Sequence, residues 1–143
     1  MRVDFYQLSR DPVETAVAQI ARATLKAGKR LLVVADDADR LDRIGEALWA
    51  VGGDFLANGR AGGPHDARQP ILLAEAVEPA NGATFLALAD GKWREPDGFE
   101  RVFLFFDGET LDAARGLWRD LGSREDTERH FWKQDGGKWA EAG

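Results

Sequence analysis

The sequence predicts one α/β domain in which helices cover both faces of a mostly parallel, mixed central sheet. Apolar strand segments alternate along the chain with amphipathic helical segments, as they do in helix-covered sheets. Leu31–Ala35 is apolar at every position, which is typical of a central parallel strand. Two or three strand candidates between residues 71 and 106 follow one another without an intervening helix, so we expect a mixed sheet. The result is a three-layer α/β/α fold.

The composition favours a single domain, residues 1–143, without disulfides, metal or cofactor. With 143 residues and 44% hydrophobic residues, the chain can build one core. It has no cysteine, which excludes thiolate chemistry and fits a reducing, cytoplasmic location. The longest apolar runs, such as Val102–Phe106, are far shorter than the roughly 20 residues that span a bilayer. We therefore expect a protein that is neither exported nor bound to a membrane.

The charge distribution disfavours extensive binding to nucleic acid. The net charge is −6, and a phosphate backbone is bound mainly through Lys and Arg. Residues 115–143 carry six Lys or Arg and six Asp or Glu, so the excess of acid lies entirely in residues 1–114.

The first half of the chain shows two strand–helix units. Val3–Leu8 has strand alternation, Asp11 is a candidate N-cap with Pro12 at the first helical position, and Gly28 closes the helix. After the apolar strand, a second helix is predicted to begin at Asp36 or Asp37 and to end at Gly52-Gly53. Its core stripe consists of Leu41, Ile44, Leu48 and Val51.

The second half begins with a segment rich in Gly and Pro, residues 57–70, which we expect to form a long, flexible loop. The predicted elements that follow are strands at Ile71–Ala74, Thr84–Ala89 and Arg101–Phe106 and a helix from Thr110 to Leu121. Residues 129–141 alternate on either side of a Gly-Gly turn signal and could form a terminal hairpin.

Catalytic motifs are scarce. No Gly-x-Gly-x-x-Gly follows the first strand, so this Rossmann-like sheet is expected to lack a dinucleotide site. Asp36, Asp37 and Asp39 lie where α/β enzymes often place metal-binding carboxylates, although helix capping explains them more simply. His65 precedes Asp66, but no nucleophile motif accompanies it. A small hydrolase or phosphatase that uses Asp36, Asp37 and His65 is one alternative function.

Two helices carry candidate partner sites. On the second helix, Trp49 points about 120° away from the core stripe, and an exposed indole is a frequent interface anchor. The alternative is that the loop at residues 57–70 folds back and covers this indole. On the third helix, Arg115 and Arg119 stand one turn apart next to Trp118. Like charges at this spacing repel each other, so an anion docked between them is one interpretation.

Each of these surfaces has a competing explanation. Asp112, three residues before Arg115, could neutralise that arginine and leave an ordinary solvated helix face. Near the end of the chain, Trp132, Lys133 and Trp139 suit stacking on single-stranded nucleic acid, which is a second alternative function. Packing of the terminal hairpin onto the sheet explains the same aromatic residues.

A family resemblance combines many of these segments. The matching segments, in order, are Phe5-Tyr6-Gln7-Leu8, Gly28-Lys29-Arg30, Leu41-Asp42, Leu48-Trp49, Asp54-Phe55-Leu56, Gln69-Pro70-Ile71, Phe99-Glu100-Arg101-Val102, Ala114-Arg115, Trp118-Arg119, Trp132-Lys133-Gln134 and Gly137-Lys138-Trp139. Together they resemble the chi subunit of bacterial DNA polymerase III over nearly the whole chain. The resemblance implies a non-catalytic accessory subunit of the clamp-loader assembly in DNA replication, which meets nucleic acid mainly indirectly.

The resemblance also implies two partner surfaces. The acidic C-terminal tail of the single-stranded-DNA-binding protein would bind at Arg115, Trp118 and Arg119. At a further position where some family members are basic, this chain has Leu111.

A psi-like subunit would bind near Trp49, Phe55 and Leu56. Family members often read Phe-Leu-Pro-His-Gly at this place, whereas this chain reads Phe55-Leu56-Ala57-Asn58-Gly59. The resemblance implies no active site, metal or cofactor.

Overall fold

The computed structural model describes residues 1–9, 11–50, 56–135 and 138–142, with only the backbone of Asp135. Within these residues the elements are β1 (Arg2–Gln7), α1 (Val13–Lys26), β2 (Leu31–Val34), α2 (Ala38–Ala50), β3 (Asn58–Arg60), β4 (Ile71–Ala74), β5 (Phe85–Leu88), β6 (Arg101–Phe106), α3 (Leu111–Gly122), β7 (Glu128–Asp135) and β8 (Lys138–Glu141). A single turn of 3₁₀ helix, Asp66–Arg68, precedes β4.

The described strands form one sheet in the order β3-β4-β2-β5-β6-β1-β7-β8. Every neighbouring pair is parallel except β7 and β8, which are antiparallel. Helices α1 and α2 pack with alternate strand residues such as Leu31 and Val33 on one face, whereas α3 packs with Leu32 and Val34 on the other. The predicted α/β fold with a mostly parallel, mixed sheet is confirmed, and β2 is buried at all four positions.

The sheet was expected to be mixed because no helix separates the strands between residues 71 and 106, and this reason was wrong. Strands β4, β5 and β6 are all parallel to their neighbours, and the antiparallel pair lies instead at the end of the chain. Both β4 and β5 flank β2, so residues 75–84 carry the chain past that strand. Residues 89–100 return it from β5 to β6 without a helix, and about a dozen residues suffice for such a crossover.

Local polar contacts decide where the helices begin and end. Asp11 does not cap α1, which starts at Val13 with Pro12 before it, because the Asp11 carboxylate accepts a hydrogen bond from Gln134 Nε2 at 3.0 Å. Asp37 does cap α2, since its Oδ1 accepts the Asp39 N–H at 3.0 Å. Gly28 closes α1 with a φ of +75°, as predicted. Val51 and Gly52-Gly53 lie outside the described residues.

The segment 57–70, predicted to be a loop, contains the short edge strand β3. Asn58–Arg60 pairs with the first three residues of β4, so tertiary pairing and not apolar alternation makes it a strand. The N–H groups of Gly62 and Gly63 donate to the Asp66 carboxylate at 2.8 and 3.1 Å.

A buried carboxylate joins three strands. Asp4 of β1 is fully buried and accepts hydrogen bonds from Arg101 Nε at 2.8 Å, Trp132 Nε1 at 3.0 Å and Arg2 Nε at 3.1 Å. Burial is the largest influence on this carboxyl group and raises its pKa, but the donors outweigh burial and hold the pKa of Asp4 below its ordinary value. The network therefore ties β1 to β6 and β7.

The terminal strands pack against the sheet. β7 pairs with β1 from Glu128 to Lys133, and β8 pairs with the end of β7. None of the helices in the described ranges has the length and hydropathy needed to cross a bilayer.

Candidate functional site

An open pocket of about 300 Å³ lies between α3 and the terminal strands. Its lining residues are Phe106, Ala114, Arg115, Trp118, Arg119, Phe131 and Ala142. The structure thus brings together Arg115, Trp118 and Arg119, the three residues predicted from the third helix.

The amphipathic pattern of α3 places these three side chains. Ala114 and Leu121 are buried against the sheet, while Arg115 and Arg119 are exposed one turn apart. Trp118 lies at the boundary and is partly buried. An apolar surface therefore continues from the core into the pocket, with two cationic groups at its rim.

The two rim arginines are unpaired within the described part of the chain. There, no hydrogen bond or ion pair engages the guanidinium group of Arg115 or Arg119, and Asp112 does not pair with Arg115. The helix face is exposed to solvent, but the Asp112–Arg115 ion pair of the alternative interpretation does not form among the described residues. Both guanidinium groups can donate to an anion.

Trp118 is held by aromatic neighbours and a cation. Its ring meets Phe5 and Phe131 edge-on, with centroid distances of 5.2 and 5.8 Å. The guanidinium carbon of Arg129 lies 4.2 Å from the centre of the same ring. Phe106, which packs 5.6 Å from Phe131, completes an apolar floor. The pocket is therefore mostly apolar inside and cationic at its edge.

Sequence reasoning missed the half of the pocket that comes from the terminal strands. Phe131 belongs to β7, and the Ala142 N–H donates to the Phe131 carbonyl at 2.8 Å. Neither residue carries a distinctive signal, because a phenylalanine in a strand and an alanine after one are ordinary. Only the parallel pairing of β7 with β1 brings this segment next to α3.

The family model described as DNA polymerase III chi subunit, HolC, matches residues 1–127 of the 143. The chain belongs to the DNA polymerase III chi subunit family. This confirms the resemblance and gives the chain an accessory role in DNA replication as a component of the polymerase III complex. No curated protein sequence matches the chain. In this chi-family chain, the family match ends directly before β7, so Phe131 and Ala142 lie beyond it.

The second candidate surface of the chi-family chain is only partly described. Trp49 on α2 is 52% exposed, as its position on the helix predicted. Leu56 is 9% exposed and packs in the core, and its N–H donates to the Leu48 carbonyl at 2.7 Å. Phe55 lies outside the described residues. Leu56 therefore supports the core beneath this surface more than it contributes to the surface itself.

The carboxylates of the alternative enzyme function are engaged in structural contacts. At the carboxyl ends of the strands, Asp36 pairs with Lys92, and Asp37 caps α2. Nearby Asp90 pairs with Arg94 at 2.8 Å. Burial, the largest influence, raises the pKa of Asp90, but hydrogen bonds from Arg94 and two backbone N–H groups lower it to about 2.

His65 is not brought next to these carboxylates. Ala67, two residues further on, accepts a hydrogen bond from Arg30 at the amino end of β2, whereas Asp36 and Asp37 follow the carboxyl end of that strand. Among the described residues, no three His, Asp or Glu side chains are placed to hold a metal ion.

The terminal tryptophans of the chi-family chain pack inward. Trp132 stacks on Tyr6 with an interplanar angle of 12° and donates its indole N–H to Asp4. Trp139 meets Tyr6 edge-on at 4.9 Å and donates to Gln19 at 3.0 Å. Lys133 is exposed. These contacts agree with packing of the terminal strands onto the sheet.

Proposed function

We propose that this chi-family chain binds the acidic C-terminal tail of the single-stranded-DNA-binding protein in the pocket between α3 and β7. It would thereby link the clamp-loader assembly of DNA polymerase III to DNA coated by that protein. One observation carries the proposal: Arg115 and Arg119, whose guanidinium groups have no partner among the residues that the structure describes, flank an apolar pocket on a protein whose net charge is −6.

The chemistry of the pocket matches an acidic chain end. Carboxylates of the tail, including a free terminal carboxylate, would accept charge-assisted hydrogen bonds from Arg115 and Arg119. The terminal apolar side chain would pack against Trp118 and Phe131. A pocket of about 300 Å³ holds one or two side chains, so we expect micromolar affinity that weakens with salt. Several tails on one oligomeric binding protein would strengthen the attachment.

We propose that a psi-like subunit contacts a second surface around Trp49. This indole is 52% exposed on α2, and α2 covers the opposite face of the sheet from α3. Two partners could therefore bind the chain at the same time without competing for one surface.

A peptide titration tests the tail-binding proposal. A fluorescently labelled acidic peptide that ends in an apolar residue with a free carboxylate is titrated with the wild type, Arg115→Gln and Arg119→Gln. Each substitution removes one charged contact, so we expect about tenfold weaker binding, or about 1.4 kcal/mol. The affinity should also depend less steeply on salt in each variant than in the wild type.

Three controls make the titration specific. Arg68→Gln removes one exposed cation next to β4, near the far edge of the sheet, and Trp49→Ser alters the second surface. Both should leave the peptide affinity unchanged. The same peptide with an amidated C-terminus should bind more weakly. Equal peptide affinities of Arg119→Gln and Arg68→Gln would contradict the proposal. Equal affinities of the wild type for the free and the amidated peptide would also contradict it.

A further inference from the structure

Arg129 of β7 lies beyond the family match, which ends at residue 127, yet it contacts Trp118 in two ways. Its guanidinium carbon lies 4.2 Å from the centre of the indole ring. Its Nη1 donates to the Trp118 carbonyl at 2.6 Å. One side chain therefore touches both the ring and the backbone of the same residue.

The end of α3 leaves room for this guanidinium group. A Cβ at Gly122 would lie 2.8 Å from both the guanidinium carbon and Nη1 of Arg129, closer than real Cβ contacts. A residue with a Cβ at this position would require the guanidinium group to move. Gly122, one turn of helix beyond Trp118, is therefore in close contact with the Arg129 guanidinium group.

The role of Arg129 differs from that of the two rim arginines. Arg115 and Arg119 line the pocket, whereas Arg129 does not. Its guanidinium group covers a face of the indole, and Phe5 and Phe131 meet the ring edge-on. A planar guanidinium group can stack on the ring and donate to the carbonyl at once, which an ammonium group cannot do.

We propose that Arg129 is a positioning residue of the tail pocket. It fixes the Trp118 indole in the orientation that receives the apolar end of an acidic peptide, and it leaves the peptide carboxylates to Arg115 and Arg119. This inference rests on the proposed function of the pocket. Arg129 lies in the terminal strands, outside the helix that carries the two rim arginines.

The test measures peptide affinity, its salt dependence and the indole signals of the protein. With Arg129→Gln we expect about fivefold weaker binding of the acidic peptide and an unchanged slope of affinity against salt. Arg119→Gln, by contrast, should reduce that slope. Arg129→Lys keeps the cation but not the planar group, so it should restore only part of the affinity.

Nuclear magnetic resonance separates positioning from a general structural role. The indole N–H signal of Trp118, identified by its loss in Trp118→Phe, should shift in Arg129→Gln. The signals of Trp132 and Trp139, which are bonded to Asp4 and Gln19, should stay in place because the terminal strands remain docked.

Each contrary outcome has a distinct meaning. Wild-type affinity in Arg129→Gln would overturn the positioning role while the tail-binding proposal stands. A salt slope reduced as far as in Arg119→Gln would overturn it in favour of direct contact with the peptide. Shifts of the Trp132 and Trp139 signals would overturn it in favour of a role in folding. If the wild type itself does not bind the peptide, the proposed function fails, and Arg129 has no tail to position.

Discussion

At the scale of single residues, Asp4 shows why local patterning alone misleads. A charged residue between Val3 and Phe5 suggests a strand with one face in solvent, but both faces of this sheet are covered, and the carboxylate is fully buried. A buried charge is tolerated only when it is paired and hydrogen-bonded. Arg2, Arg101 and Trp132 meet that need from three different strands. No sequence pattern predicts such a network, because Arg101 and Trp132 lie 97 and 128 residues from Asp4 in the chain.

The substitution Asp4→Asn tests the contribution of this network to stability. It keeps the size of the side chain but removes the charge that faces two arginines. We expect the free energy of unfolding to fall by about 2–3 kcal/mol, since Arg2 and Arg101 are partly exposed and water can compensate in part. Urea denaturation followed by circular dichroism measures the change.

The matched control for Asp4→Asn is Asp42→Asn, which removes an exposed carboxylate paired with Arg60. An exposed ion pair contributes little, so this variant should stay within about 0.5 kcal/mol of the wild type. Similar losses in the two variants would contradict a special role for the buried carboxylate.

At the scale of elements, the sequence predicts the helices and strands whose apolar residues recur at regular short spacing. The predicted bounds of β4 and β6 match the structure, and α3 is displaced by one residue. For the same reason the grouping of Arg115, Trp118 and Arg119 on one helix could be predicted, and the structure places them around one pocket. The terminal hairpin predicted at residues 129–141 is present as β7 and β8. Edge strand β3 and the position of Phe131 next to α3 could not be predicted, because they depend on long-range pairing with β4 and β1.

Helix α3 carries two glycines for which we predict different effects of substitution by alanine. A Cβ at Gly116 would meet nothing within 4 Å, and this residue has no positive φ. Gly116→Ala should therefore raise the free energy of unfolding by about 0.5–1 kcal/mol, because alanine is the better helix former. Gly122→Ala should give no such gain, since its Cβ meets the Arg129 guanidinium group. Thermal unfolding of both variants measures the difference, and a gain at Gly122 equal to that at Gly116 would argue against the close contact.

At the scale of the whole molecule, the stability of the fold depends on pH, and different titratable groups act at acidic and at neutral pH. The pKa values of Asp4 and Asp90 are lowered in the folded state, that of Asp90 to about 2. Their pairing stabilises the fold above the unfolded-state pKa of about 4, and this stability is lost as the pH falls through the folded-state values. His130 acts in the opposite direction. Its hydrogen bond with Glu141, at 2.5 Å, is the largest influence and raises its pKa above 6.5.

The stability of the whole fold should therefore be greatest at a mildly acidic pH. The contribution of His130 is fully present below about pH 6.5, the unfolded-state value, and is lost as the pH rises through the folded-state pKa. The groups that act on its ring besides Glu141 are Glu128 of the same strand and Arg2 and Asp4 of β1. Above neutral pH, self-repulsion in a chain of net charge −6 adds to the loss. We expect the free energy of unfolding to decline on both sides of about pH 5–6.

Urea denaturation at intervals from pH 3 to pH 9 measures this profile, and two substitutions assign its sides. His130→Gln should flatten the decline above pH 6.5, because the imidazole that loses its proton there is gone, and it should leave the acid side unchanged. Asp90→Asn should reduce the acid-side slope, since one carboxylate with a lowered pKa is removed. His65→Gln removes an exposed imidazole outside the His130 cluster and should leave the profile as it is. If His130→Gln and the wild type lose stability in parallel above neutral pH, the link between β7 and β8 through Glu141 does not depend on a protonated histidine.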